Sequence, residues 1–131
     1  MKLKFKLISE IPATPQAIYS AWLDSERHAL MTDSESAIAS QVVGAEYKAH
    51  GEYITGKNIE LIPFKKIVQS WRSTSFKPED EDSLLEVIFE EKGGVTLLTL
   101  IHSNIPEQEY HVETGWVSHY FEPMKKYFSS L

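Results

Sequence analysis

The side chains able to do chemistry in this chain are few and scattered. His28, His50, His102, His111 and His119 are its five histidines. His111 and His119 share one amphipathic stretch with Glu109, Glu113 and Glu122. A zinc centre needs three or four ligands converging on one point. The His-Glu-x-x-His spacing that delivers them from a single helix does not occur, and no metal ligand is assigned. Glu79, Asp80, Glu81 and Asp82 lack the alternation and glycine of a calcium loop, so they read as a solvated acidic turn. Gly93-Gly94 has no helix after it and is no phosphate cradle. Gly-x-Ser-x-Gly is absent, and with no cysteine there is neither thiolate nor disulfide chemistry. His102 is the remaining acid/base candidate, yet a lone inward histidine is more often hydrogen-bonded structure. No catalytic residue and no cofactor are assigned.

Binding is better represented than catalysis. Tyr53, Trp71, Arg72, His102, Trp116 and Tyr120 are the aromatic and polar residues chosen as the edges of a ligand pocket. Strict alternation places Arg72 outward, where it serves only if it caps an acidic ligand group at a strand end. Trp71 and Trp116 have a structural alternative as core residues, since aromatic side chains dominate core energetics.

Whether these side chains meet depends on the elements that carry them. Glu107 to Leu131 reads as one long amphipathic helix. Val112, Trp116, His119/Tyr120, Met124, Tyr127/Phe128 and Leu131 recur at steps of three and four, on one face. Pro123 lies inside the pattern and predicts a kink or a change of packing partner. At the other end Lys2 to Ile11 alternates charged and apolar residues as a half-buried strand does. Thr14 with Pro15 predicts a capped short helix, and Asp24 or Ser25 a second one through Met31. Six strand segments follow: Ala37–Val42, Glu46–Ile54, Asn58–Ile62, Lys65–Phe76, Leu84–Glu91 and Val95–His102. Gly56-Lys57, Pro63-Phe64, Pro78–Asp82 and Gly93-Gly94 punctuate them. The last is the clearest hairpin.

Period-two alternation turns one set of each strand inward: Leu85, Val87 and Phe89; Ile67, Gln69, Trp71 and Ser73; Thr96, Leu98, Leu100 and His102. The expected fold is α+β and helix-grip, a curved antiparallel sheet of about six or seven strands wrapped around a long C-terminal helix. Two short helices follow the first strand, and residues 1–131 form a single domain. A cavity between a concave sheet and its helix, apolar with a few polar groups, is the composition of a small-molecule pocket.

Composition narrows the partners. The chain is 42% hydrophobic and 24% charged, ordinary for a globular protein. Its formal charge of −6 argues against nucleic acid, which needs a basic stripe. No apolar run approaches a membrane span and the N-terminus has no signal-peptide pattern, so a cytoplasmic protein without membrane contact is expected.

Four motifs carry a resemblance: Glu52-Tyr53-Ile54-Thr55-Gly56-Lys57-Asn58, Lys66-Ile67-Val68-Gln69-Ser70-Trp71-Arg72, Leu97-Leu98-Thr99-Leu100-Ile101-His102-Ser103, and Gly115-Trp116 with Tyr120-Phe121-Glu122-Pro123-Met124. In this order they resemble the homologues of the activator of the ninety-kilodalton heat-shock ATPase, within the SRPBCC (START-related, birch-pollen-allergen-like) superfamily. The resemblance covers essentially the whole chain. It implies a sheet of seven strands or similar gripping the C-terminal helix over a pocket. Superfamily members bind lipids, sterols or plant hormones, act as polyketide cyclases or assist chaperones, so the fold alone selects none of these. In the chaperone activator a separate N-terminal domain precedes one of this kind. Here the chain starts at the first strand, and that second domain is expected to be missing.

The leading expectation is a non-enzymatic module binding a small hydrophobic or amphipathic ligand, with Trp71 and Trp116 as walls and His102 orienting it. A chaperone-associated stress-response protein acting through its surface is the alternative. A cyclase- or hydrolase-type enzyme using His102 with a tyrosine comes last. The protein is expected as a monomer or as a homodimer through outward residues such as Val68, Ile88 and Ile101.

Overall fold

The computed structural model describes all residues, Met1–Leu131. The strands are β1 (Lys2–Ile11), β2 (Glu46–Ala49), β3 (Ile54–Ile62), β4 (Lys66–Ser73), β5 (Ser83–Lys92) and β6 (Val95–Pro106). The helices α1 (Pro15–Trp22) and α2 (Ser25–Met31) follow β1, and α3 (Val112–Trp116) and α4 (Glu122–Ser129) end the chain. One six-stranded sheet runs β1-β6-β5-β4-β3-β2, antiparallel throughout. The architecture is the expected α+β helix-grip, with six strands rather than seven.

Local chemistry sets the boundaries. The Thr14 hydroxyl accepts from the Ala17 amide and the Asp24 carboxylate from the Arg27 amide, so both short helices begin on side-chain caps. Gly93 and Gly94, both at positive φ, turn β5 into β6. Irregular register at Leu3/Phe5 against β6 and at Asn58/Glu60 against β4 bends the sheet around the core. The inward sets of β4, β5 and β6 are buried as the alternation required. On the outer face Ile88 and Ile101 are half-buried beside Lys66, which pairs with Glu86 and Glu60.

Four expectations change, three of them in the strands. Ala37–Val42 is no strand; it makes a single bridge, Ile38 to Lys48. The Asn58 side chain instead clamps this segment to the sheet, donating to the Ser40 and Val42 carbonyls. Those bonds satisfy the backbone without a ladder. The Glu46–Ile54 run is two strands, because His50 and Gly51 take positive φ and reverse the chain there. Gly56, read as punctuation, lies inside β3, where a Cβ would stand 1.9 Å from the Ser70 carbonyl oxygen. Its role is close approach, not a turn.

The C-terminal segment is likewise not one helix. A 3₁₀ turn, Glu107–Glu109, precedes α3, and a π-turn, Val117–Phe121, separates α3 from α4. The Glu122 amide donates to the Val117 carbonyl, five residues back. Pro123 explains the widening, since it has no N–H to donate and its ring crowds the carbonyl four residues earlier. Val112, Trp116, Tyr120, Met124 and Phe128 are all buried. In a pure α-helix each step of four overshoots a turn by about 40°. The π-turn takes back part of that drift and keeps the stripe on the sheet.

Candidate functional site

The two halves of the C-terminal helix meet the rest of the molecule differently. Met124 and Phe128 of α4 are buried on the side where α4 packs against α2 and β1. Beneath α3 and the π-turn lies a cavity of about 520 Å³. The sheet contributes Trp71 from β4 and Ile54 from β3, and the β2–β3 turn contributes His50 and Tyr53. Val112, Gly115 and Trp116 of α3 form the opposite wall, with Ser118, His119 and Tyr120 of the π-turn; Thr114 and His111 stand at the start of the helix. No carboxylate, lysine or arginine lines it.

Two buried hydrogen-bond relays hold the aromatic walls. Trp116 Nε1 donates to His102 Nδ1 at 3.0 Å, and His102 Nε2 lies 2.7 Å from Ser83 Oγ. Ser83 Oγ donates to the Trp71 carbonyl at 2.7 Å. An indole can only donate, so Nδ1 is the bare nitrogen and Nε2 carries the proton. The relay thus runs from α3 through β6 and β5 to the backbone of β4, every group satisfied. Burial pushes His102 down to about 3, so it stays neutral.

The second relay holds Tyr120. His28 Nδ1 lies 2.7 Å from the Trp22 carbonyl, and Nε2 lies 2.6 Å from the Tyr120 hydroxyl. A carbonyl only accepts, so here the proton is on Nδ1, and Tyr120 donates to Nε2. Burial lowers His28 to about 4 against the opposing effect of the Trp22 bond, and raises the Tyr120 hydroxyl far above its ordinary value. Trp22 stacks on Trp116 with ring centroids 6.3 Å apart, which joins the relays.

Of the residues chosen from sequence, Tyr53, Trp71, Trp116 and Tyr120 line this cavity. His102 is fully buried behind Trp116. Arg72 stands away from the cavity and holds the acidic turn: Nη1 donates to the Asp80 carbonyl at 2.6 Å and to Asp82 at 3.1 Å, Nη2 to the Lys77 carbonyl at 2.6 Å. His50, His111 and His119 border the cavity without having been selected as pocket edges. The signal for His50 was the His50-Gly51 pair, a turn dipeptide inside a run read as strand. Glu109, weighed in the sequence only as a neighbour of His111 and His119, is buried and accepts from Ser75 Oγ at 2.7 Å and Ser73 Oγ at 3.2 Å, tying the 3₁₀ turn to the end of β4.

The fold and this cavity define a helix-grip domain of the SRPBCC type. Residues 12–129 match the family model described as "Activator of Hsp90 ATPase homolog 1-like protein". The chain belongs to that family. The human activator of 90 kDa heat shock protein ATPase homolog 1 is 27% identical over 95% of this chain, and the Dictyostelium discoideum activator homolog 25% identical over 95%. The chain spans only 37% and 32% of the length of those two relatives. Among solved structures, an HSP90 activator from Plasmodium falciparum superposes with TM-score 0.86 at 22% identity, covering 95% of this chain and 94% of that one. CalU16 from Micromonospora echinospora gives 0.78 at 21% identity, covering 96% and 76%. The Aha1 dimer from Colwellia psychrerythraea gives 0.73 at 21% identity, covering 88% of each chain.

Proposed function

We propose that this chain is a non-enzymatic small-molecule binding domain that holds a hydrophobic or amphipathic ligand between the sheet and the C-terminal helix. The observation that carries the reading is the cavity of about 520 Å³ walled by Trp71, Trp116 and Tyr120. Its volume is that of a drug-sized site, and its walls are preset by buried hydrogen bonds. Tyr53, 42% exposed, forms part of its edge. His102 orients the ligand only through Trp116. Binding is favoured over catalysis because both nitrogens of His102 are committed and the Tyr120 hydroxyl already donates to His28. The test is native mass spectrometry of freshly purified protein, followed by denaturing analysis of an extract. A released mass of a few hundred daltons is expected, with loss of that mass in Trp71→Ala and Trp116→Ala. Retention of the ligand by both folded variants would place it elsewhere and overturn the reading.

Family membership favours a second reading, a chaperone-associated role exercised through the surface, because two relatives are named activators of the heat-shock ATPase. Pull-down with purified 90 kDa heat-shock protein tests it. No capture at high protein concentration counts against it.

A further inference from the structure

All five histidines of the chain border the cavity or stand one hydrogen bond behind its wall. His28 and His102 are sealed with both nitrogens bonded. His50 is different: its Nε2 is buried and has no hydrogen-bond partner. A buried polar atom left unpaired costs roughly 1–3 kcal/mol, so such an atom at a cavity calls for a functional explanation. His50 is also one of four non-glycine residues held at positive φ, at 52°. Tertiary packing keeps it there.

The surroundings indicate what Nε2 is for. His119, exposed on the π-turn, packs edge-on against the His50 ring at 5.8 Å, and the Tyr120 ring lies at 5.5 Å on another side. His28, on α2, is bonded to the hydroxyl of that same Tyr120. On the hairpin itself Lys48 and Glu52 pair with each other at 3.0 Å. Glu35, on the loop after α2, lies 3.5 Å from where a Gly51 Cβ would stand. His111 has its own carboxylate, Glu109, at 3.9 Å. Among the side chains lining the cavity, nothing supplies a counter-charge to His50 and His119.

We propose that the cavity selects a planar aromatic ligand bearing an anionic group, whose acidic oxygen accepts a hydrogen bond from His50 Nε2 while Trp71 and Trp116 flank the ring. This rests on the binding reading above and names the chemical class of its ligand. Burial and the neighbouring His119 keep His50 below its ordinary value. An anion seated on Nε2 favours the charged imidazole, so binding takes up a proton and tightens as pH falls. His119, exposed on the π-turn, is the ring that has to give way for the oxygen to reach Nε2.

The test uses naphthalene-2-sulfonate, charged at every pH used, against naphthalene-2-sulfonamide, its neutral match in size. Tryptophan fluorescence reads both affinities at about pH 8 and about pH 6, within the histidine range. Sulfonate affinity should rise about tenfold toward low pH, with sulfonamide affinity unchanged. His50→Asn, chosen because asparagine tolerates positive φ, should abolish the rise while sulfonamide still binds. Wild-type calorimetry in two buffers should show proton uptake with the sulfonate alone, which keeps the test independent of how the variant folds. Sulfonamide binding with no pH effect on the sulfonate would overturn the anion inference and leave the cavity reading standing. A pH effect that survives in folded His50→Asn would overturn the assignment to His50. Binding of neither probe would overturn both readings.

Discussion

His28 and His102 on one side, and His50, His111 and His119 on the other, are the same residue under two regimes. The first pair is buried to 3% and 0% exposure, and each ring spends both nitrogens on neighbours that fix its tautomer. The tautomers are opposite, because one ring faces a carbonyl at Nδ1 and the other an indole N–H. The three cavity histidines keep spare hydrogen-bonding capacity, and one has a buried nitrogen with no partner. Burial alone does not separate a structural histidine from a functional one; completeness of the hydrogen bonds does. The sealed pair holds Trp116 and Tyr120 in place, and the other three border the space those walls enclose.

Acid should break the comparison most forcefully. Both sealed histidines have folded-state values below the unfolded value of 6.5, at about 4 and about 3. The neutral form is favoured in the fold, so the stabilisation is complete above the unfolded value and is lost as pH falls toward the folded ones. Linkage for two such groups removes on the order of 6 kcal/mol between about pH 7 and about pH 4. Urea unfolding at intermediate pH values measures it, and a flat stability profile over that range would mean the rings are not sealed. Replacing one sealed ring is the next largest effect. His102→Ala leaves the Trp116 N–H without its acceptor and opens a cavity, and should cost about 3 kcal/mol in chemical denaturation.

A subtler change sharpens the contrast. Tyr120→Phe keeps the ring but strips His28 Nε2 of its donor, with an expected loss of about 1–2 kcal/mol and no change of fold. It should also alter the nitrogen chemical shifts of His28, the direct readout of tautomer. At the other extreme, His111→Gln should leave unfolding free energy within about 0.5 kcal/mol of wild type, and His50→Asn should cost no more than about 1 kcal/mol, because the ring it removes already holds an unpaired buried nitrogen. A loss of several kcal/mol in either would place that residue with the sealed pair.

How much was legible in advance follows the range of the interactions. The inward sets of β4 to β6 were readable because period-two alternation against carboxylates is local. The helix caps were readable for the same reason, at Thr14 outright and at Asp24 with Ser25 as the alternative. The β2–β3 turn was missed because Tyr47, Ala49 and Tyr53 keep a period of two straight through His50-Gly51. The β2–β3 pairing, not propensity, decides where that chain reverses. Ala37–Val42 failed similarly: its β-prone residues are held by the distant Asn58 amide rather than by a ladder. Tyr53, Trp71, Trp116 and Tyr120 were singled out from residue type and face. Arg72 was singled out from charge, but its neighbours at Lys77, Asp80 and Asp82 claimed it.

By itself the sequence determined an α+β chain with antiparallel strands closed by an aromatic-faced C-terminal helix, because alternation, caps and the hairpin glycines act over a few residues. Pro123 announced an irregularity in that helix as well. Only the tertiary structure decided that the irregularity is a π-turn and that the space beneath it stays open. It also decided which histidines are sealed and which retain a free nitrogen. Those outcomes depend on partners such as Trp22, Ser83 and Tyr120, brought together across long separations in the chain, and no local pattern encodes which of them will meet.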